Sequence, residues 1–380
     1  MTTTIDNEHK IFNVPNLRFP EFEGEWQEER LSDIADLSKG IGISKDQLSA
    51  DGEPCILYGE LYTKYKSETI KEVISKTNID NTKLVKSKAN DVIIPCSGET
   101  AEEIATARCV LKDDVLLGGD LNIIRLHGYD GSFMSYQLNG KRKYDIAKVA
   151  QGVSVVHLYG EHLKNIKTIN PSLNEQKKIA NLLSLLDECI STQNKIINKL
   201  QSLIKGIAQN IVRYNKPNVR LSDCLSCSSS TLQESDVSEH GTYPVYGANG
   251  VVGYLDNYNT ENEAIYIIKD GSGVGSTSYV TGKCSATGTL NILRAKEGYS
   301  LQYLYYMLKV FNFEPYKTGM AIPHIYFKDY GKAKVFCPTY KEQLQYARLL
   351  SAIDKRLTVE HGLLTSLSLQ KQYLLRQMFI

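Results

Sequence analysis

Short glycine, asparagine and histidine motifs are the parts of this sequence that could carry chemistry. Gly271-Ser272-Gly273-Val274-Gly275 is similar to a phosphate-binding loop, but it lacks the Lys-Ser/Thr pair of a P-loop and the GxGxxG spacing before a helix. Asn170-Pro171-Ser172-Leu173 lacks the second proline and the aromatic residue with which an adenine methyltransferase holds a flipped base. HExxH and Gly-x-Ser-x-Gly are absent from the sequence. The chain is therefore expected not to be an enzyme.

Cysteine spacing and the first residues indicate the compartment. Cys224 and Cys227 have the spacing of metal ligands, but no second pair lies at finger distance, so we expect reduced thiols and no metal site. The first twenty residues include Asp6, Glu8 and Lys10 and contain no apolar run, which argues against a secretory signal and for the cytoplasm. Runs of about 18 apolar residues are also absent, so no membrane partner is expected.

Charge gives a weaker indication. The formal net charge is +1, whereas nucleic-acid-binding proteins are often strongly basic, so the balance argues mildly against DNA. Charge can still be concentrated on one face or supplied by another subunit. Lysines are dense between Lys64 and Lys88, which predicts either a solvated surface or a set of phosphate contacts.

The chain repeats itself, and this repeat indicates how it is organised. Residues 152–190 match residues 319–357 without a gap at an offset of 167, with 12 of 39 positions identical. His157/His324 and Gln176/Gln343 are among the identical pairs. Arg-Leu-Ser-Asp at 30–33 recurs at 220–223 with an offset of 190. Each half therefore has the same ends around a different insert.

A long helix is predicted at the end of each half. Ser172-x-x-Glu175 and Thr339-x-x-Glu342 are capping-box patterns. Apolar residues then recur at alternating steps of three and four, as in a coiled coil. Gln193, Glu360 and Lys371 interrupt the seam; Gln193 and Glu360 are predicted either to fix the register or to contact another subunit. The two helices are expected to pair in an antiparallel coiled coil. The seam residues are Leu183, Leu186, Ile190, Ile197, Leu200, Ile204, Ile207 and Ile211, followed by Leu350, Ile353, Leu357, Leu364, Leu367, Leu374 and Met378.

The inserts are predicted to be globular α+β domains rich in strands. Apolar runs between turn residues predict strands at 91–95, 121–126, 264–268 and 289–293. Residues 243–250 and 269–276 are predicted loops, and 134–149 and 301–311 are predicted helices.

The order of these segments resembles that of the specificity subunit of type I restriction–modification systems. Asn16 to Trp26 is similar to that family's N-terminal signature, and the segments from Gly152 and Gly319 into the helix starts are similar to its two conserved junctions. The segments 95–104 with 118–120, and 269–275 with 286–290, look like two variants of its target-recognition domain. Leu344-Gln345-Tyr346 departs from the basic, isoleucine-rich stretch that is usual in the second helix.

The resemblance implies a non-catalytic chain that binds double-stranded DNA and reads an interrupted target. Two modification subunits carrying S-adenosylmethionine would dock on its helices, and restriction subunits would join them; no cofactor is expected in this chain. The implied domains are an N-terminal segment at 1–20, target-recognition domains at 21–171 and 216–338, and spacer helices at 172–215 and 339–380.

Loop and basic side chains of the inserts are the candidate DNA contacts, because phosphate contacts position a reader and base-edge contacts specify the sequence. A coiled-coil assembly scaffold without DNA specificity is the alternative, and an enzyme with an unrecognised site is the third possibility. The candidates are Tyr58, Tyr62, Lys64, Ser97, Glu99 and Lys141 in the first insert, and Tyr246, Asn249, Lys269, Ser272, Lys317 and His324 in the second.

Overall fold

A computed structural model describes residues 13–152 and 155–380 of the chain. Twelve residues of the predicted N-terminal segment, including those used to argue against a secretory signal, lie outside the described part. The chain forms two compact units. The first contains residues up to Thr192 together with Leu364–Ile380, and the second contains Gln193–Leu363.

The first unit is built around two five-stranded sheets. Asp91–Pro95 is buried along its whole length and pairs antiparallel with a strand on each side, as its apolar composition predicts. The sheet orders are β2-β12-β8-β10-β5 and β3-β6-β4-β11-β7, with two-stranded pairs β1-β14 and β13-β9. The strands are β1 (Gln27–Arg30), β2 (Ala35–Lys39), β3 (Leu48–Ser49), β4 (Glu53–Ile56), β5 (Thr69–Ile70), β6 (Ser75–Thr77), β7 (Val85–Lys86), β8 (Asp91–Pro95), β9 (Ser97–Gly98), β10 (Arg108–Val110), β11 (Leu116–Leu117), β12 (Leu121–Leu126), β13 (Val156–His157) and β14 (Lys167–Asn170).

Helices of the first unit are short apart from the last. The predicted helix at 134–149 is wrong as a single element, because one helix ends before Gly140 and a second begins at Lys143. Just before the break, the Asn139 side chain exchanges two 2.8 Å hydrogen bonds with the backbone of Ala107, which ties the helix end to the sheet. The helices are α1 (Leu31–Ile34), α2 (Glu60–Thr63), α3 (Ala101–Ile104), α4 (Gly131–Asn139), α5 (Lys143–Lys148), α6 (Gly160–Leu163) and α7 (Leu173–Tyr214), with a 3-10 turn at Lys45–Gln47.

The second unit contains a four-stranded and a three-stranded sheet. The loop predicted at 243–250 is wrong, because these residues form a β-hairpin whose turn is closed by Gly250 at a φ of +107°. The sheet orders are β16-β22-β19-β20 and β18-β17-β21, with a β15-β23 pair. The strands are β15 (Val219–Arg220), β16 (Leu225–Ser229), β17 (Tyr243–Gly247), β18 (Gly250–Leu255), β19 (Ala264–Ile268), β20 (Thr277–Val280), β21 (Ser285–Ala286), β22 (Leu290–Ala295) and β23 (Lys334–Val335).

Helices of the second unit agree with prediction more closely. The helix expected at 301–311 is present and ends two residues early, at Lys309. Its N-terminus is capped by Ser300, whose hydroxyl accepts from the amide of Tyr303. The helices are α8 (Leu221–Cys224), α9 (Leu301–Lys309), α10 (Phe327–Tyr330) and α11 (Tyr340–Gln377), with 3-10 turns at Glu234–Asp236 and Glu314–Tyr316.

The two long helices, α7 and α11, pack in an antiparallel coiled coil, and part of each lies in each unit. In the first unit, Leu183 near the start of α7 shares a core with Met378 at the end of α11. In the second unit, Ile211 near the end of α7 shares a core with Leu350 near the start of α11. This pairing confirms the helices and the antiparallel seam predicted from the heptad pattern.

Candidate nucleic-acid interface

A turn that follows the central strand is held in the same way in both units. In the first unit, the Cys96 amide donates to the Asp120 carbonyl and the Leu158 amide donates to the Cys96 carbonyl, both at 2.7 Å. In the second unit, the Lys269 amide donates to Thr289 at 3.1 Å and the Ile325 amide donates to the Lys269 carbonyl at 2.9 Å. The two turns therefore share one backbone frame.

The frame places a different side chain opposite a histidine in each unit. Ser97 is the strand partner of His157, and Asp270 is the bridge partner of His324. Asp270 Oδ1 lies 2.6 Å from His324 Nδ1. Ser97 is 7% exposed, so its hydroxyl supports the turn more than it offers a contact to a ligand. One backbone frame thus carries different polar chemistry in the two units.

An exposed tyrosine stacks on each of these histidines. The His157 and Tyr159 rings lie 6.2 Å apart with an interplanar angle of 25°, and those of His324 and Tyr326 lie 6.5 Å apart at 21°. Both tyrosines are nearly half exposed. The Lys39 ammonium lies 5.7 Å from the centre of the Tyr159 ring, and the Lys328 ammonium lies 5.2 Å from the centre of the Tyr326 ring. Exposed rings beside cations are suited to contact bases and phosphates.

Sequence reasoning missed these two tyrosines as candidate contacts. Tyr159 and Tyr326 are identical positions of the 167-residue repeat, two residues after the paired histidines. Because a repeat conserves scaffold and function alike, identity alone did not distinguish an exposed contact from a buried support. The signal that could have found them is the repeated His-x-Tyr spacing.

A shallow groove of about 320 Å³ gathers polar residues in the second unit. It brings the predicted residue Lys269 together with Asp270, the partner of His324. Ammonium, carboxylate, amide and hydroxyl groups all line it, so it offers both donors and acceptors to a ligand. The polar and aromatic lining residues are Ser229, Lys269, Asp270, Asn291, Tyr326, Phe327 and Lys328.

The remaining predicted residues of the second unit lie on other segments. Ser272 is exposed in the turn after Asp270. Lys317 forms a 2.6 Å ion pair with Glu314, which partly occupies its charge. Tyr246 and Asn249 belong to the β17–β18 hairpin, where Asn249 is exposed. Tyr246 is half-buried against the Tyr266 ring, and burial raises the pKa of its phenol.

Tyr58 and Glu99 interact electrostatically with Tyr62 in the first unit. Burial raises the pKa of the Tyr62 phenol, and nearby Tyr58, Glu103 and Glu99 add to the increase. Tyr62 is therefore held in its protonated, donor form beside carboxylates that can only accept hydrogen bonds. Such a group of donors and acceptors is suited to the edge of a base.

Lys64 and Lys141 lie apart from this group. The Lys64 ammonium lies 2.5 Å from the buried carboxylate of Glu60 and 2.9 Å from the Ser75 hydroxyl, so its charge mainly balances Glu60. Lys141 is exposed in the turn between α4 and α5. The next residue, Arg142, contacts the carbonyl of Ile380, so this turn lies beside the chain's C-terminal residues.

Gln193 and Glu360 bond to each other inside the second unit. Both are at most 5% exposed, and Gln193 Nε2 donates to the Glu360 main-chain carbonyl at 2.9 Å and to its carboxylate. This hydrogen bond, with a smaller effect from Arg356, lowers the pKa of the Glu360 carboxyl. Their mutual bonding favours the predicted role in helix register; contact with another subunit stays a prediction.

Metal sites and membrane-spanning helices are both absent from the described part of the chain. Residues 13–152 and 155–380 hold no group of three or more His, Cys, Asp and Glu side chains arranged to bind a metal ion. Across the same residues, no helix has the length and apolar character needed to span a bilayer.

A family model described as the type I restriction modification DNA specificity domain matches residues 23–202 and again 218–369. The MjaVIII specificity subunit of Methanocaldococcus jannaschii is 28% identical over 205 residues, which cover 54% of this chain and 45% of that protein. A putative type I specificity subunit of Mycoplasma genitalium is 24% identical over 283 residues, covering 68% of this chain and 73% of the relative.

Several relatives are matched over only part of their length. The chain spans under half the length of the M. jannaschii protein and about a third of that of two further curated relatives. The crystal structure of a type I restriction–modification S subunit from M. genitalium matches with a TM-score of 0.72 at 19% identity, covering 97% of this chain and 99% of the other. The family model covers most of the chain, so the family that the sequence motifs resembled is confirmed, and the solved S subunit shares the fold.

Proposed function

Because the chain belongs to the type I restriction–modification DNA specificity family, we propose that it reads a bipartite, interrupted DNA sequence, one half-site with each unit. In this role it is a specificity component that directs modification and restriction subunits to DNA and does not itself catalyse a reaction. It would act in the cytoplasm, as the sequence predicts.

The observation that carries the proposal is the backbone frame that occurs twice with different side chains. The turn after the central strand and the His-x-Tyr segment recur in both units. The neighbouring side chains differ, with Glu99 and Tyr62 in the first unit and Lys269 and Asp270 in the second. A repeated frame with different contacts is what two unlike half-sites require.

Each unit would divide its contacts between the DNA backbone and the base edges. Lysines such as Lys39, Lys269 and Lys328 would contact phosphates and position the unit. Asp270 and Glu99 carry negative charge, which phosphates repel, so they would instead accept hydrogen bonds from base amino groups. Tyr159 and Tyr326 would pack on sugars or bases beside these contacts.

Two modification subunits would dock on the exposed sides of α7 and α11. Ile196 and Leu203 on α7, and Val359 and Leu363 on α11, are apolar yet between 37% and 62% exposed. Exposed apolar residues at helical spacing are typical of a surface that another protein covers. S-adenosylmethionine would bind to these modification subunits, and restriction subunits would join the assembly.

The long helices would set the spacing between the half-sites. At about 1.5 Å per residue, a heptad adds roughly 10 Å and preserves the seam. Insertion or deletion of one heptad in both α7 and α11 is therefore expected to change the tolerated gap between half-sites. An unchanged gap in the methylated motif would contradict this role.

Mapping of methylated bases in DNA modified by the reconstituted complex tests the proposal. We expect two short fixed sequences separated by an unspecified gap. Methylation at a single continuous sequence, or at no defined sequence, would contradict the proposal.

A coiled-coil assembly scaffold without DNA specificity is the second candidate, and the exposed apolar helix faces favour it equally. The two functions differ in their response to salt, because a DNA reader releases counterions when it binds phosphates. A steep loss of DNA affinity with added salt, together with preference for one sequence, supports the reader. Assembly of partner proteins without any DNA preference would support the scaffold.

A further inference from the structure

A short apolar loop projects from the second unit beside the candidate interface. It runs from Gly319 to Pro323, and at its tip Met320 is fully exposed and Ile322 is 58% exposed. Burial of such side chains is favourable, so a ligand that covers them would gain free energy by removing apolar surface from water.

The base of this loop is firmly held. Thr318 and His324 exchange two backbone hydrogen bonds, of 2.9 and 2.7 Å, across the neck of the loop. The amide of Gly271 donates to the Pro323 carbonyl at 3.0 Å, which ties the loop to the turn that carries Asp270. Gly319 has a φ of +88°, and a Cβ there would lie 2.4 Å from the Ile322 carbonyl oxygen, so only glycine fits.

A corresponding neck occurs in the first unit. Gln151 and His157 exchange backbone hydrogen bonds of 2.9 and 2.7 Å, and Gly152 has a φ of +125°. Val155, at the position equivalent to Ile322, is 51% exposed. The same neck, the same left-handed glycine and an exposed apolar residue therefore recur, which indicates that the feature is maintained for a shared purpose.

We propose that the loop of Met320 and Ile322 is a wedge that inserts between stacked base pairs of the DNA and opens the step. This inference rests on the proposed DNA-reading function. Apolar residues flanked by cations are the composition that DNA-deforming proteins insert at base steps. Cations lie beside the loop: the turn to which it is tied carries Lys269, and Lys328 lines the same groove.

Insertion would give the second unit sequence preference without further hydrogen bonds. Pyrimidine–purine steps unstack more easily than other steps, so a wedge favours them at the point of insertion. The side chain of Met320 is flexible and unbranched, which allows it to fit a partly opened step. The wedge therefore adds a deformability requirement to the base-edge contacts of the groove.

The test compares the wild-type chain with the double variant Met320→Ala, Ile322→Ala, each assembled with its modification subunits. The probe is a set of duplexes that carry the mapped target, with one abasic site moved through every position. An abasic site removes base stacking before the protein binds. The wild-type complex should therefore bind a duplex with an abasic site at the wedged step about tenfold more tightly than the intact duplex. A similar gain at the base flipped for methylation is expected in both complexes.

The double variant should lose the gain at the wedged step and retain the gain at the methylated base. Its affinity for the intact target should fall about tenfold, while its affinity for unrelated DNA stays unchanged, because phosphate contacts are untouched. Met320→Leu with Ile322→Val keeps the apolar volume and should behave as wild type. Val155→Ala is the matched change in the first unit. It should leave unchanged the affinity gained from an abasic site at the wedged step of the second half-site.

Three outcomes would overturn the inference. The wild-type complex could show a gain only at the methylated base, or the double variant could retain every gain. The double variant could also fail to assemble with the modification subunits in the absence of DNA, which would identify the loop as a protein contact. A wild-type complex that binds no preferred sequence would instead refute the proposed function, and this inference with it.

Discussion

The two units share their connections between insert and helix more closely than their inserts. Gln176 and Gln343 each accept a 2.9 Å hydrogen bond from the amide of an N-cap residue in the insert, that of Asp130 at α4 or Ser300 at α9. Each also donates to the proline carbonyl that precedes its own long helix. Two copies of one connection can therefore attach unlike inserts to alike helices.

Charge at the helix seam is where the units differ most. In the first unit, Lys371 lies 2.6 Å from both Glu68 and Asp187, and all three side chains are at most 15% exposed. Arg108, also largely buried, interacts electrostatically with the same two carboxylates. In the second unit the position equivalent to Lys371 is Ile204, which is buried in the apolar core. Equivalent seam positions therefore hold a buried charge in the first unit and an apolar side chain in the second.

Burial and ion pairing oppose each other in this cluster. Burial acts to lower the pKa of the Lys371 ammonium, but the carboxylates of Glu68 and Asp187 together raise it above its ordinary value. Burial raises the pKa of the Glu68 carboxyl, and Lys371 only partly offsets this effect. The cluster is therefore stable only while its charges remain balanced.

Lys371→Met is expected to have the largest effect on stability. It leaves two buried carboxylates with Arg108 alone, and breaking a buried ion pair typically lowers the free energy of unfolding by about 3–5 kcal/mol. Urea unfolding near neutral pH measures this loss. Lys355→Met changes an exposed lysine of the same helix and should change the free energy by less than about 0.5 kcal/mol.

The pH dependence of the same variant sharpens this prediction. Without Lys371, the pKa of the Glu68 carboxyl in the folded state rises further above its unfolded value. A carboxyl whose pKa is raised in the folded state stabilises the fold at low pH, and this stabilisation is lost as the pH rises through the folded-state pKa. The difference in free energy of unfolding between the variant and the wild type should therefore shrink on acidification. A deficit that is independent of pH would show that packing, and not charge, is responsible.

The shared connection predicts equal losses in the two units. Gln176→Ala and Gln343→Ala each leave one buried and one partly buried main-chain group without its partner, at a cost of about 2 kcal/mol. Hydrogen exchange of the affected unit measures each loss separately. A loss in one unit only would contradict the equivalence of the two connections.

Removal of the helix caps should have the smallest effect, and an unequal one. Thr339→Ala removes a hydroxyl that contacts Glu342 at 2.7 Å and should cost about 1 kcal/mol. Ser172→Ala should cost about half as much, because the Glu175 carboxylate bonds Arg18 and does not reach back to the cap. Thermal unfolding of the two variants compares them directly. Equal losses would mean that Arg18 contributes nothing to this difference.

Periodic features were predictable from the sequence. The long helices and their seam followed from apolar spacing, and the buried strands at 91–95, 121–126 and 264–268 followed from short apolar runs. The capping box at Thr339 formed as expected, whereas that at Ser172 formed only in part. Arg18, 157 residues away in the sequence, takes the Glu175 carboxylate, and no local pattern indicates so distant a partner.

Local propensity failed where tertiary contacts decide the backbone. The hairpin at β17 and β18 contains a proline and several small residues, which favour a loop, yet pairing with β21 makes it a strand. Part of the candidate site was available in the sequence, since Leu-Asn-Ile-Ile-Arg at 121–125 recurs almost unchanged at 290–294. That further repeat has an offset of 169, whereas Ser97 and Asp270 are 173 residues apart, so the equivalence of their turns and the pairing of Asp270 with His324 required the structure.

Methylation mapping with unit-specific variants tests the central claim most directly. Complexes that carry His157→Ala with Tyr159→Ala, or His324→Ala with Tyr326→Ala, would each be used to modify the same DNA. The proposed division of labour predicts that each variant relaxes or weakens one half of the motif and leaves the other half unchanged. Relaxation of both halves by either variant, or of neither half by both, would contradict it.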